Sequence, residues 1–180
     1  MNRTLSPKRA RLIGLALAGL VFAVDQWVKW LMLVPLRLRD VGLIELIPIF
    51  DLRWTENYGV SLGMLTADSS TSRWLLVAMT GAIALVVLVW ILREKVLSDI
   101  IGLALVLGGA LGNIRDRAAF GFVIDYADLH FGTFRPFLIF NIADAAITIG
   151  VLIILARSLL SREKPEAATA QNAADAAPES

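Results

Sequence analysis

The chain has 180 residues, 57% of them hydrophobic and 18% charged, with a mean hydropathy of +0.70, which excludes a soluble domain of this length and indicates one integral membrane domain. A formal net charge of +1 supplies no basic surface, so no nucleic acid partner is expected. The absence of cysteine excludes disulfides, thiolate nucleophiles and sulfur-ligated metals, and the single histidine, His130, excludes a multi-histidine metal site.

Residues 1–11 carry Arg3, Lys8, Arg9 and Arg11 without an acid, and an apolar run from Leu12 to Val24 follows. That start resembles a signal peptide. The run continues past Asp25 through Trp27 to Pro35, however, with no small-x-small cleavage site, so a retained first helix over about 12–34 is expected, with its N-terminus in the cytoplasm. Asp25 and Lys29 are four apart and share a face, so they can pair and lower each other's insertion cost. The plain reading is a structural ion pair, with Asp25 supporting a site from behind.

Between Val41 and Trp54, residues Leu43, Ile44, Leu46, Ile47, Ile49, Phe50 and Leu52 mix alternation with apolar pairs, and Pro48 cuts the run. Short strands at the membrane surface are expected there. Asn57 follows in Glu-Asn-Tyr-Gly-Val-Ser, and Ser61 to Ser72 reads as a short surface helix. The second span, about 74–92, is uncharged between Arg73 and Arg93 and reads as scaffold.

The third span, about 97–114, carries Gly102, Gly108, Gly109, Ala110 and Gly112, small residues that let helices approach closely. At its outer end Asn113 and Arg117 are four apart on one face. A snorkelling arginine and an interhelical asparagine would explain them one at a time. That explanation weakens because Asn57, Asp125, Asn141 and Asp144 map to the same boundary. The stretch Phe120 to Phe134 is β-branched and aromatic with glycines at its edges, so a small external sheet should cap the bundle. The fourth span, about 137–160, contains Asn141 and Asp144, three apart on one face. Four spans return the C-terminus to the cytoplasm, consistent with Arg157, Arg162 and Lys164. The reading is thus one membrane-embedded domain over 1–164 with external segments 35–73 and 115–136, then a disordered cytoplasmic tail over 165–180 that has no large apolar residue.

An aspartate inside an apolar span costs about 2.5–3.5 kcal/mol on insertion scales, so Asp144 needs a partner, a wet cavity or a reaction. Asp125 is the candidate partner, since two carboxylates brought together cannot easily both ionise. The reaction this toolkit best supports is hydrolysis by an aspartic dyad, one carboxylate activating water while the other donates a proton. Three alternatives stay open: a Ser61 and Lys29 pairing, an ion or proton relay through the same carboxylates in a small transporter, and a purely structural polar cluster.

Five segments in register carry a resemblance. Asp-Gln-Trp-Val-Lys (25–29), Asn-Tyr-Gly-Val-Ser (57–61), Gly-Gly-Ala-Leu-Gly-Asn-Ile-Arg-Asp-Arg (108–117), Val-Ile-Asp-Tyr (123–126) and Phe-Asn-Ile-Ala-Asp (140–144) closely resemble the lipoprotein signal peptidases, the type II signal peptidases of bacteria. The likeness covers roughly residues 12–160. It implies an all-α integral membrane protein with four transmembrane helices, a small extracytoplasmic β-cradle and a short surface helix, lying in the inner membrane with its active site at the outer face. It implies an aspartic endopeptidase that cuts diacylglyceryl-modified prolipoproteins on the amino side of the lipidated cysteine, without metal or other cofactor. Membrane lipids and globomycin-type inhibitors are the other implied partners. Carried onto this chain, Asp125 and Asp144 are catalytic, Asn57, Asn113, Arg117 and Asn141 form the polar surround, and Asp25 and Lys29 give more distant support. Val60 and Leu62 depart from the family's usual Ala and Phe, which bears on local packing or substrate preference.

Overall fold

The computed structural model describes the backbone of residues 6–59 and 70–175, and side chains up to residue 160. Among the described residues, four helices are long and apolar enough to cross a membrane: α1 (Pro7–Leu33), α3 (Ser70–Arg93), α4 (Leu97–Phe120) and the Ile142–Leu160 part of α5 (Ile142–Asp175). A one-turn helix α2 (Leu38–Val41) and strands β1 (Leu43–Ile47), β2 (Phe50–Asn57) and β3 (Val123–Leu129) complete the fold.

Helix α1 starts five residues earlier than expected because Pro7 is preset for a first turn and Ser6 Oγ accepts from the Arg9 N–H at 3.4 Å. Helix α4 runs to Phe120 rather than ending near Ile114, and Gly121, at φ 91°, closes it in the left-handed region. Helix α5 starts at Ile142, later than the expected 137, because Phe140 pairs with β3 instead. Its N–H donates to the Ala127 carbonyl at 3.1 Å, and the Ala127 N–H donates back at 2.8 Å. At the other end α5 continues past Lys164 to Asp175, over alanine, glutamate and glutamine that favour helix although they supply no apolar face. The expected surface helix from Ser61 falls mostly on residues outside those described, and Ser70 to Ser72 belong to α3.

Helix α4 is the hub, with half of its apolar window buried against α1, α3 and α5. Its glycines explain the closeness: a Cβ on Gly108 would lie 2.6 Å from the Ala18 carbonyl of α1, and one on Gly102 would lie 3.0 Å from the Gly150 carbonyl of α5. Leu20, Val86 and Leu152 point outward, as a lipid-facing surface requires. The three strands form an antiparallel sheet in the order β1-β2-β3, and Pro48 occupies the β1–β2 turn, where its missing N–H breaks no ladder. A second apolar core of Met32, Leu38, Leu52, Phe122, Ile124 and Tyr126 seats this sheet on the end of α1.

Candidate active site

The polar residues in the apolar spans converge where the sheet meets the ends of α1, α4 and α5. Strand β3 contributes Asp125. Strand β2 reaches it through a bulge: Leu52 faces Ala127, but two residues later in register Thr55 faces Asp125 and Asn57 faces Val123. The extra residue turns Asn57 onto the Asp125 face, since a one-residue slip exchanges the faces of a strand. Asn57 Nδ2 then donates to Asp125 Oδ2 at 2.9 Å.

Asp144 lies in the first turn of α5 and joins a reciprocal cap. Its N–H donates to Asn141 Oδ1 at 3.0 Å, while its Oδ2 accepts from the Asn141 N–H at 3.2 Å. The same Asn141 reaches the other carboxylate, with Nδ2 donating to Asp125 Oδ1 at 2.6 Å. Asn113 Nδ2 donates to Asp144 Oδ1 at 2.8 Å, and the Asn113 Oδ1 accepts from Asn141 Nδ2 at 3.3 Å. One amide therefore spans both acids, and a second ties it to α4. The Asp125 carboxyl is pushed up to about 6, first by burial and then by the charge of Asp144, while the Asn57 and Asn141 hydrogen bonds pull it down.

Behind the pair lies a fully buried ionic cluster. Lys29 Nζ sits 2.9 Å from Asp25 Oδ2 and 2.7 Å from Asp116 Oδ2, and donates to Asn113 Oδ1 at 3.2 Å. Asp25 Oδ1 accepts the Ala143 N–H at 3.0 Å, so α1 caps the start of α5 from across the bundle. Gly112 makes room for that, since a Cβ there would stand 2.5 Å from Asp25 Oδ2. Lys29 is thus committed to carboxylates and an amide, while Ser61, Val60 and Leu62 lie outside the described residues. His130 pairs with Asp51 at 2.9 Å on the sheet.

Arg117 is half-buried beneath Gly59, where a Cβ would fall 3.5 Å from its Nη2. Gly59 has φ 94° and donates its N–H to Asn57 Oδ1 at 2.9 Å, so a turn residue that tolerates this conformation couples the two. Arg117 feels the charges of Asp144, Asp125 and Asp116, and its Nε has no hydrogen-bond partner among the described residues. All eight residues anticipated from the sequence thus gather at one end of the bundle. Asp116 and Gln26 complete the cluster without having been anticipated. Gln26 Nε2 donates to Asp25 Oδ2, Asp116 Oδ1 and the Gly112 carbonyl at 3.0, 3.2 and 3.3 Å. The available signal was helical spacing, since Asp116 follows Asn113 by three and falls on the same face.

Two recesses open beside the carboxylates. A cleft of about 670 Å³ runs from Asp125 between the end of β2 and residues 135–139. An apolar groove of about 300 Å³ contains Asp144 and runs along α5 past Ala145, Thr148 and Ile149. Phe137 and Leu138 border both.

Comparison with known proteins places this geometry in context. A family model described as signal peptidase (SPase) II matches residues 17–160. A lipoprotein signal peptidase of Sphingopyxis alaskensis is 54% identical over 162 residues, covering 90% of this chain and 94% of that protein. One of Rhizorhabdus wittichii is 55% identical over 153 residues, covering 85% and 89%. A solved structure described as a bacterial membrane enzyme superposes with a TM-score of 0.72 at 26% identity, covering 84% of this chain and 90% of that one.

Proposed function

The chain belongs to the signal peptidase II family, and from that premise we propose how its residues carry out the reaction. It is a multi-pass bacterial membrane protein and an aspartic endopeptidase that removes signal peptides from prolipoproteins. The transporter alternative finds no support in these relatives.

Asp125 and Asp144 are the catalytic pair. The observation that carries this assignment is the Asn141 bridge, which donates to one carboxylate and exchanges hydrogen bonds with the other. The two carboxylates bridged by this amide share one proton, and burial with the Asp144 charge holds the Asp125 carboxyl up at about 6. The ionised oxygen takes a proton from water, whose oxygen attacks the carbonyl carbon preceding the lipidated cysteine. The shared proton passes to the carbonyl oxygen. Return of a proton to the cysteine nitrogen breaks the C–N bond and releases the signal peptide. Arg117, whose guanidinium lies beside Gly59 and feels the charge of both acids, holds a substrate carbonyl, and Asn57 holds Asp125 in place. Asn113 and Asn141 orient the acids, and Asp25 with Lys29 fixes Asn113 and the first turn of α5.

The substrate's diacylglyceryl cysteine stays in the lipid, so the apolar groove along α5 takes the membrane side and the wider cleft takes the polar side. The sheet lies at the outer face, both termini are cytoplasmic, and residues 1–164 are the working domain. Globomycin-type cyclic peptides occupy the substrate position.

The test is cleavage of a diacylglyceryl prolipoprotein by purified protein. Asp125→Asn and Asp144→Asn, inserted at wild-type level and with unchanged melting temperature, should each lose at least about a thousandfold in kcat/KM, and globomycin should inhibit the wild type. Wild-type-like cleavage by Asp144→Asn would overturn the dyad.

A further inference from the structure

One charged side chain beside the dyad has no part in that mechanism. Arg135 lines the wider cleft together with Asp125, and it is anchored from below. Its Nε donates to both oxygens of Asp128, at 3.0 and 3.2 Å, and Arg53 Nε donates to the same carboxylate at 2.9 Å. Asp128 is buried at the sheet, and although burial alone would raise its carboxyl, the bonds from Arg135 and Arg53 hold it below the usual range. The anchor therefore stays charged and the guanidinium stays in place.

On the facing wall, Glu56 is occupied by its own neighbours. Its Oε1 accepts from Arg39 at 3.0 Å and Trp54 Nε1 at 3.3 Å, and its Oε2 accepts from Tyr58 at 2.7 Å. Arg135 carries four further N–H donors beyond Nε, and its side chain is 41% exposed. Among the described residues that line this cleft, Arg135 is therefore the cation an incoming chain meets, and Asp125 is the acid at its dyad end. The cleft and the apolar groove part at Phe137 and Leu138, and with the lipid in the groove, as proposed above, a chain crossing the dyad lays its polar mature segment in the cleft that Arg135 lines.

Resting on the peptidase reading, we propose that Arg135 selects among substrates by the charge of the mature lipoprotein, favouring an acidic residue directly after the lipidated cysteine. Asp128 is its positioning residue. The effect is modest because Arg135 is partly exposed: attraction to an acid and repulsion of a base each contribute a few-fold, about tenfold between the extremes.

The experiment uses the full chain in phospholipid nanodiscs and three diacylglyceryl prolipoproteins that differ only in carrying Asp, Ser or Lys after the cysteine. Wild-type kcat/KM should fall in that order, and the spread should shrink as ionic strength rises. Arg135→Gln should bring the Asp-to-Lys ratio close to one, and Arg135→Glu should reverse it. Arg53→Gln, which leaves Arg135 on Asp128, should keep the order. A wild type with no preference, or an Arg135→Gln that keeps the wild-type ratio, overturns the proposal while leaving the peptidase intact. Failure of the wild type to cut any of the three overturns both.

Discussion

Of the two acids Asn57 reaches only Asp125, whereas Asn141 bonds both, so its effect on the pair is separable. Its Nδ2 stabilises the charged carboxylate at 2.9 Å, opposing the burial and the Asp144 charge that raise Asp125 to about 6. Removing that donor raises the carboxyl further. Asn57→Leu should therefore move the alkaline limb of kcat/KM upward by about one pH unit, since one neutral-to-charged hydrogen bond contributes roughly 1–2 kcal/mol. A pH profile that keeps its shape while only its height falls would remove Asn57 from this role. Stability follows the same sign. A folded value near 6, above the unfolded 3.8, favours the folded state fully at acid pH and loses that contribution as pH rises through about 6. That Asp125 and Asp144 meet was legible in the sequence, because a carboxylate inside an apolar run is conspicuous. Asp116 was not, because it stood between Arg115 and Arg117 in what read as the start of an external segment, and only the extension of α4 to Phe120 puts it inside the bundle.

At the scale of elements, the site depends on how closely α4 lets α1 and α5 approach. Gly112→Ala places a methyl 2.5 Å from Asp25 Oδ2, so the carboxylate must leave Lys29 or the Ala143 N–H. Breaking a partner from a buried ionic cluster costs about 3–5 kcal/mol. Gly112→Ala should lower the melting temperature by several degrees and cut kcat/KM by at least about tenfold. Gly81→Ala in α3 is the contrast: nothing lies within 4 Å of its Cβ, so it should be neutral or slightly stabilising. Equal behaviour of the two variants in thermal unfolding and cleavage assays would refute this account. The spans themselves were legible as apolar runs, and the strands as β-branched runs with glycine edges. The Phe140–Ala127 bridge and the Arg53–Asp128–Arg135 set were not, because both depend on strand register and a bulge that no local pattern specifies.

For the whole molecule, the proposed dyad and its polar partners gather at the sheet end. Asp144 is the third residue of α5, and residue 165 lies about 30 Å further along the helix at 1.5 Å per residue. The family match also ends at residue 160. Deleting residues 165–180 should therefore leave kcat/KM within about twofold and thermal stability within a few degrees, measured in the same nanodiscs. A larger loss would give the terminal segment a share in activity.

The reciprocal cap between Asn141 and Asp144 has a further consequence, because the same atoms begin a helix and assemble the proposed dyad. Asp125 gains its Asn141 donor, and Asp144 its Asn113 donor, only once α5 has docked on α4 and β3. Among the described spans α5 is the last in chain order, so it is made after α1, α3 and α4. On the proposed dyad, a chain in which α5 has not docked lacks both donors, so hydrolysis waits on the assembly of these elements rather than on removal of a propeptide.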